Sequence, residues 1–233
     1  MKGSPMTGSL VVLGTGPGKA DLMTPATRAA LDRATDLVGY GPYLDRIPVS
    51  HPGQCRHASD NRVELDRARQ ALSLAAAGRQ VAVVSGGDPG VFAMAAAVFE
   101  AVEAGDPAWR QLDITVEPGV TAMLAAAAEV GAPLGGDFCA ISLSDNRKPW
   151  DIITRRLRLV AEAGFVIALY NPISKARPWQ LGRAFECLKA ILPGTTPVIF
   201  GRAAGRPDER IDICLLANAE ADMADMATCI IIG

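Results

Sequence analysis

The residue types that could do chemistry cluster in short turns. Ser85-Gly86-Gly87-Asp88-Pro89-Gly90 joins two glycines to a carboxylate. Without a Cβ, the glycines let the backbone approach a ligand, and the carboxylate accepts hydrogen bonds from hydroxyl or ammonium groups. Gly14-Thr15-Gly16-Pro17-Gly18-Lys19 is a second glycine loop. Ser144-Asp145-Asn146-Arg147-Lys148-Pro149-Trp150 and Asn171-Pro172-Ile173-Ser174-Lys175-Ala176-Arg177 mix hydroxyls, a carboxylate and cations. His51 and His57 are the only imidazoles. By residue type alone, the turn at 85–90 reads equally as a ligand loop or as a plain strand-to-helix bend.

Spacing removes several chemistries. After Gly14-x-Gly16 a dinucleotide fingerprint needs glycine at 19, where Lys19 stands, and Pro17 lacks the N–H a phosphate would use. A phosphate-binding P-loop counted back from Gly18-Lys19 needs glycine at 13, which is Leu13, and Ser or Thr at 20, which is Ala20. The five cysteines, Cys55, Cys139, Cys187, Cys214 and Cys229, have no C-x-x-C spacing, so we expect reduced, mostly buried thiols, no disulfide framework and no metal site. No G-x-S-x-G nucleophile motif is present. A net charge of −2 argues against a broad nucleic-acid or polybasic membrane surface. No apolar run reaches the ~18 residues of a membrane span. Residues 1–9 lack the apolar core of a signal peptide and are expected to be a disordered lead-in, which suits a cytoplasmic protein.

The elements that position these turns follow from periodicity. Short apolar runs predict strands at 9–13, 36–40, 81–84, 112–116, 139–143, 165–170, 196–200, 211–215 and 228–232. Thr24-Pro25 predicts a capped helix to about residue 32. Residues 41–43 read as a turn and 48–59 as a loop. Helices are expected over 61–77, 91–103, 122–130, 151–163 and 179–190. Strand and helix alternate through the first half, which predicts a parallel sheet. The second half predicts a five-stranded mixed sheet. With 233 residues and 49% hydrophobic content, the chain supports two α/β domains, placed at 1–117 and 118–233, with Pro118-Gly119 as the hinge.

Five loops in order then carry a resemblance: Gly14-Thr15-Gly16-Pro17-Gly18, Ser85-Gly86-Gly87-Asp88-Pro89-Gly90, Glu117-Pro118-Gly119-Val120-Thr121-Ala122, Leu169-Tyr170-Asn171-Pro172 and Gly201-Arg202-Ala203. Over nearly the whole chain they resemble the tetrapyrrole (corrin/porphyrin) methylase family. Ser144-Asp145-x-x-x-Pro149-Trp150, Asn171-Pro172-x-Ser174-Lys175-x-Arg177, Gly201-Arg202-x-x-Gly205-Arg206 and Asp225-Met226-x-Thr228 are similar to its branch that methylates C17 of a corrin precursor and contracts the ring.

The resemblance implies two α/β domains with a ligand cleft between them, S-adenosylmethionine as methyl donor (S-adenosylhomocysteine as product), a polycarboxylate tetrapyrrole substrate and a homodimer. It implies donor binding by Gly86, Gly87, Asp88, Val91, Thr121, Ala122, Asn171, Ala203 and Thr228. Gly16 and Pro17 would then face the macrocycle. Methyl transfer to carbon is an in-line displacement that needs positioning in a dry site and no protein nucleophile. Ring contraction moves protons, so Asp145, Ser144, His57 and Asp60 are candidate acids and bases. Asp145 reads equally as a turn carboxylate, and either histidine as a solvated loop residue. Lys19, Arg147, Lys148, Lys175, Arg177, Arg202 and Arg206 follow strands, and at least three are expected to meet substrate carboxylates. Other methylases of the family, and a non-catalytic tetrapyrrole or donor carrier, remain open readings. If the 85–90 turn serves only the donor, Asp88→Ala should weaken donor binding and leave the fold intact.

Overall fold

A computed structural model describes residues 8–60 and 63–233. Residues 1–7 of the expected lead-in lie outside the described residues, as do Asn61 and Arg62, where a helix was expected to begin. The chain divides into two compact units, one reaching to Thr121 and the other starting at Ala122.

The first unit is a five-stranded parallel sheet. In chain order its elements are β1 (Ser9–Gly14), α1 (Pro25–Arg33), β2 (Asp36–Tyr40), α2 (Gly41–Leu44), β3 (Cys55–Ser59), α3 (Glu64–Ala76), β4 (Gln80–Ser85), α4 (Met94–Ala104) and β5 (Asp113–Glu117). The strand order is β3-β2-β4-β1-β5, and every pairing is parallel. The apolar run of β4 is continuous because both faces are covered. Val81 and Val83 pack with α3 and α4 through Ala68, Leu72 and Val98, while Ala82 and Val84 pack with Leu31 of α1 and Leu44 of α2. Thr24 caps α1 as expected, its hydroxyl accepting from the Thr27 N–H at 3.1 Å. Gly78, at φ +86°, lies just beyond α3.

Three local expectations change. Residues 41–43 start the short helix α2. The expected loop at 48–59 contains β3, an edge strand paired with β2 alone. Cys-Arg-His-Ala-Ser has no apolar run because an edge strand is not buried on all sides, so the usual signal is absent. The helix expected from 91 begins at Met94, because Phe92 sits at φ +53°, outside helical geometry.

The second unit contains α5 (Ala122–Ala128), β6 (Phe138–Ser142), α6 (Trp150–Glu162), β7 (Val166–Tyr170), α7 (Gln180–Lys189), β8 (Pro197–Arg202), β9 (Arg210–Leu215) and β10 (Thr228–Ile232). Its sheet has the order β6-β7-β10-β8-β9, with β6 parallel to β7 and the other pairings antiparallel. This is the mixed sheet the sequence predicts. Leu157 of α6 and Phe185 and Leu188 of α7 pack with Ile230 and Ile232 of β10. Met123 of α5 packs with Cys229 of the same strand, whose alternate residues point to the other face.

Candidate functional site

In the first unit, β4, β1 and β5 are neighbours, so the loops leaving their carboxyl ends lie side by side. Open α/β sheets bind ligands at this end. The loops are knitted by backbone. Gly16 and Gly87 exchange hydrogen bonds, N to O at 3.1 and 2.8 Å. Thr15 donates to the Ser85 carbonyl from both its N–H, at 2.9 Å, and its hydroxyl, at 3.1 Å. Asp88 links two turns, accepting from the Gly90 N–H on Oδ1 at 2.8 Å and from the Gly119 N–H on Oδ2 at 3.0 Å.

The glycines serve this packing. A Cβ on Gly119 would stand 2.2 Å from the Gly87 oxygen, and one on Gly14 would stand 2.4 Å from it. A Cβ on Gly86 would meet the Tyr43 ring at 2.9 Å. The absence of a Cβ at Gly86 therefore lets the Tyr43 ring pack against this turn. Gly16 and Pro17 are buried, Val91 is half-buried, and Thr121 is buried immediately before α5.

In the second unit, Asn171 leaves β7 at φ +52° and Ala203 leaves β8 at φ +51°. Non-glycine residues in this region cost about 1–3 kcal/mol each and persist where the surroundings impose them, commonly at functional sites. Asn171 is fixed by its Nδ2, which donates to Ser142 Oγ at 2.9 Å. The Ala203 N–H donates to the Ala227 carbonyl at 2.9 Å. Thr228 is buried, and its hydroxyl donates to Asp225 at 2.9 Å. Ala122 opens α5, whose Met123 N–H donates to the Tyr170 hydroxyl at 2.9 Å.

The expected acids and bases separate. Asp145 accepts from Arg177 Nη1, while Arg177 Nη2 donates to Asn146 Oδ1 at 2.6 Å. Ser144 precedes this pair, and its carbonyl accepts from Lys148 Nζ at 3.4 Å. Burial, helped by Arg156, lowers the Lys148 pKa, and Asp145 opposes the shift. His57 belongs to a different cluster. Its Nε2 lies 2.8 Å from Asp36 Oδ1, and Asp36 also accepts from Arg79 Nε and the Thr35 hydroxyl, each at 2.7 Å. Asp36 opens β2, at the amino end of the sheet, away from the glycine loops. The structure therefore does not bring His57 to them. Asp60 offers its carbonyl to the buried Arg67, whose Nη2 donates at 2.7 Å.

The expected cations differ in exposure. Lys19, Lys175 and Arg147 are exposed. Arg202 is held by Asp225 through Nε at 2.8 Å and by Asp208 through Nη1 at 3.0 Å, and these bonds raise its pKa. Arg206 is half-buried. Burial raises the pKa of the Cys139, Cys187 and Cys214 thiols and pushes Cys229 up to about 12, so none of these is primed as a thiolate nucleophile. Tyr43, Ser142 and Asp225 were not assigned roles from sequence, yet each braces a predicted loop. Only the Asp225-Met226-x-Thr228 motif carried a signal for any of them.

A methyl donor of the nucleoside-sulfonium type offers hydroxyls, an ammonium group and a carboxylate. In the first unit, the half-buried Asp88 carboxylate beside the Gly87 turn suits its hydroxyls and ammonium group.

Comparison with known proteins identifies the family. The profile of the Tetrapyrrole (Corrin/Porphyrin) Methylases matches residues 9–220. The chain is 67% identical over 228 residues to a precorrin-3B C(17)-methyltransferase from a Sinorhizobium species, covering 98% of this chain and 89% of the relative. The crystal structure of the methyltransferase CobJ superposes with a TM-score of 0.94 at 52% identity, covering 97% of this chain and 94% of that one. A Thermus thermophilus uroporphyrin-III C-methyltransferase complexed with S-adenosylhomocysteine shares the fold, with a TM-score of 0.72 at 21% identity and 97% of each chain covered. The chain belongs to the tetrapyrrole (corrin/porphyrin) methylase family.

Proposed function

We propose that the chain transfers a methyl group from S-adenosylmethionine to C17 of precorrin-3B and contracts the ring, giving precorrin-4. The observation that carries this reading is its 67% identity, over 98% of the chain, to the Sinorhizobium enzyme. The donor, when bound, supplies an electrophilic methyl group. The protein's part is placement. Gly86, Gly87, Asp88 and Val91, together with Thr121, Ala122, Asn171, Ala203 and Thr228, hold the donor, and Asp88 receives its hydroxyl or ammonium hydrogens. Rigid strand-end turns make the approach geometry reproducible, which is the main contribution an enzyme makes to an in-line displacement. Lys175, Arg177, Lys19, Arg147 and Arg202 face the carboxylates of the macrocycle or fix the loops that do. Asp145 and Ser144 handle the proton of ring contraction, with the Arg177 guanidinium keeping Asp145 oriented.

The chain acts as a cytoplasmic homodimer in this reading. Five free thiols support the first point, and exposed Ile213 and Leu215 on the edge strand β9 support the second. No helix among the described residues is long and apolar enough to cross a membrane.

The test is incubation of the pure chain with methyl-labelled donor and either metal-free precorrin-3B or the cobalt-bearing ring. Label in the metal-free product, with the absorbance change of a contracted ring, is the expected result. Label confined to the cobalt arm would assign a sister activity. Bound donor with label in neither arm would make the chain a carrier. Light scattering tests the dimer.

A further inference from the structure

The loop leaving β7 and the first turn of α7 concentrate unmet hydrogen-bonding capacity. Among the described residues, the buried side-chain polar atoms without a partner are Arg56 Nε, Ser174 Oγ, Arg177 Nε and Gln180 Nε2. All but Arg56 lie within residues 174–180. Folded proteins leave such atoms unpaired rarely, because each has given up water without a replacement, and a cluster of them signals a ligand or trapped solvent.

The loop cannot relax to pair them. Pro172 and Pro178 fix the backbone on either side. Ser174 and Arg177 are bonded to each other, Arg177 N to Ser174 O at 2.9 Å and Ser174 N to Arg177 O at 3.4 Å. Both Nη atoms of Arg177 are engaged by Asp145 and Asn146, which pins the guanidinium plane and leaves Nε inside. Gln180 is only 2% exposed, so bulk water does not satisfy its amide.

The unmet groups share one character. Arg177 Nε and Gln180 Nε2 are donors, and the Ser174 hydroxyl can donate. None of these side-chain atoms is a carbonyl or carboxylate oxygen in need of a donor. A carboxylate brings acceptors alone and matches a guanidinium edge, an amide and a hydroxyl.

We infer that residues 174–180 form the receptor for one carboxylate of the macrocycle, with Gln180 and Ser174 as binding residues beside Arg177. The inference rests on the tetrapyrrole substrate proposed above.

The test uses Gln180→Met, which keeps side-chain length and removes the amide, and Ser174→Ala, both in the full chain. KM for precorrin-3B in the labelled-methyl assay should rise about ten-fold in each, the loss expected of one hydrogen bond to a charged group. In both variants kcat and donor affinity should be unchanged, and Tm without ligand should not fall. Ser174→Ala carries the test if Gln180→Met folds poorly. Unchanged KM in both variants, with wild type active, would overturn the receptor while leaving the function standing. If excess formate raised the wild-type Tm but not that of Gln180→Met, with KM unchanged, the site would belong to a small free anion and the inference would fall. No label transfer by wild type would overturn the proposed function, and the receptor with it.

Discussion

Asp88 accepts one backbone N–H on each carboxylate oxygen, from Gly90 in its own turn and from Gly119 in the turn after β5. A residue that only touched a ligand could be removed without harm to the fold, as the sequence suggests for Asp88→Ala. This carboxylate does more, since its loss removes the tie between two turns and leaves the part-buried Gly119 N–H without its partner. We expect Asp88→Ala to lower stability by about 1–3 kcal/mol and to weaken donor binding roughly ten-fold, whereas Asp88→Asn should retain part of both. Urea unfolding and donor titration on the two variants check this, and unchanged stability in Asp88→Ala would remove the strut. The residue scale also shows what a sequence hides. Gly86 reads as a ligand-loop glycine, and the Tyr43 ring also packs where its Cβ would stand. Ser142 reads as an ordinary strand residue, yet it fixes Asn171. Such partners lie far apart in the chain, and no local pattern links them.

Between elements, the three strand ends of the first unit meet with almost no space between backbones. A Cβ on Gly119 would lie 2.2 Å from the Gly87 oxygen, a contact that only backbone movement relieves. Gly119→Ala should therefore cost about 1–3 kcal/mol and reduce donor binding. Gly182, within α7, has nothing within 4 Å of such a Cβ. Gly182→Ala should stabilise by about 0.5–1 kcal/mol and leave activity alone, and thermal melts of the pair test both signs. The edge strand β3 is held by a second device, Asp36 with His57, Arg79 and Thr35. Burial raises the Asp36 pKa, but the hydrogen bonds from Arg79, His57 and Thr35 together outweigh it and hold the group below its ordinary 3.8. A depressed carboxylate stabilises the fold above its unfolded pKa, and that contribution disappears as pH falls through the folded value. Asp36→Asn should cost about 1–2 kcal/mol at neutral pH, moderated because Arg79 is 43% exposed, and should flatten the acid limb of the stability–pH curve below pH 3.8. An unchanged acid limb would contradict it. Strands with apolar runs were legible in sequence, from β1 to β10. The edge strand β3 was not, because partners in space, and not its own residues, make it a strand.

At the scale of the molecule, each unit has its own sheet and its own apolar cluster. The alternation of strand and helix made two α/β domains readable, and motif order made the family readable. Strand order was not, because β10, last in sequence, lies in the middle of its sheet between β7 and β8. All of its residues are buried, and Ile230 and Ile232 sit in the main cluster of the second unit. Without β10, β7 and β8 each lose a paired neighbour, and the helices α6 and α7 lose the floor they pack on. The first unit contributes no strand to that sheet and needs none from it. Removing residues 228–233 should therefore unfold the second unit while the first keeps its structure. Ile230→Ala, the milder change, should destabilise the second unit by about 2–5 kcal/mol through lost burial and the cavity left behind. Hydrogen exchange reads both outcomes: amides of β7 and β8 should exchange quickly, and those of β1 and β4 should stay protected. Equal loss of protection in both units would mean that they unfold as one, and that the two clusters are energetically a single core.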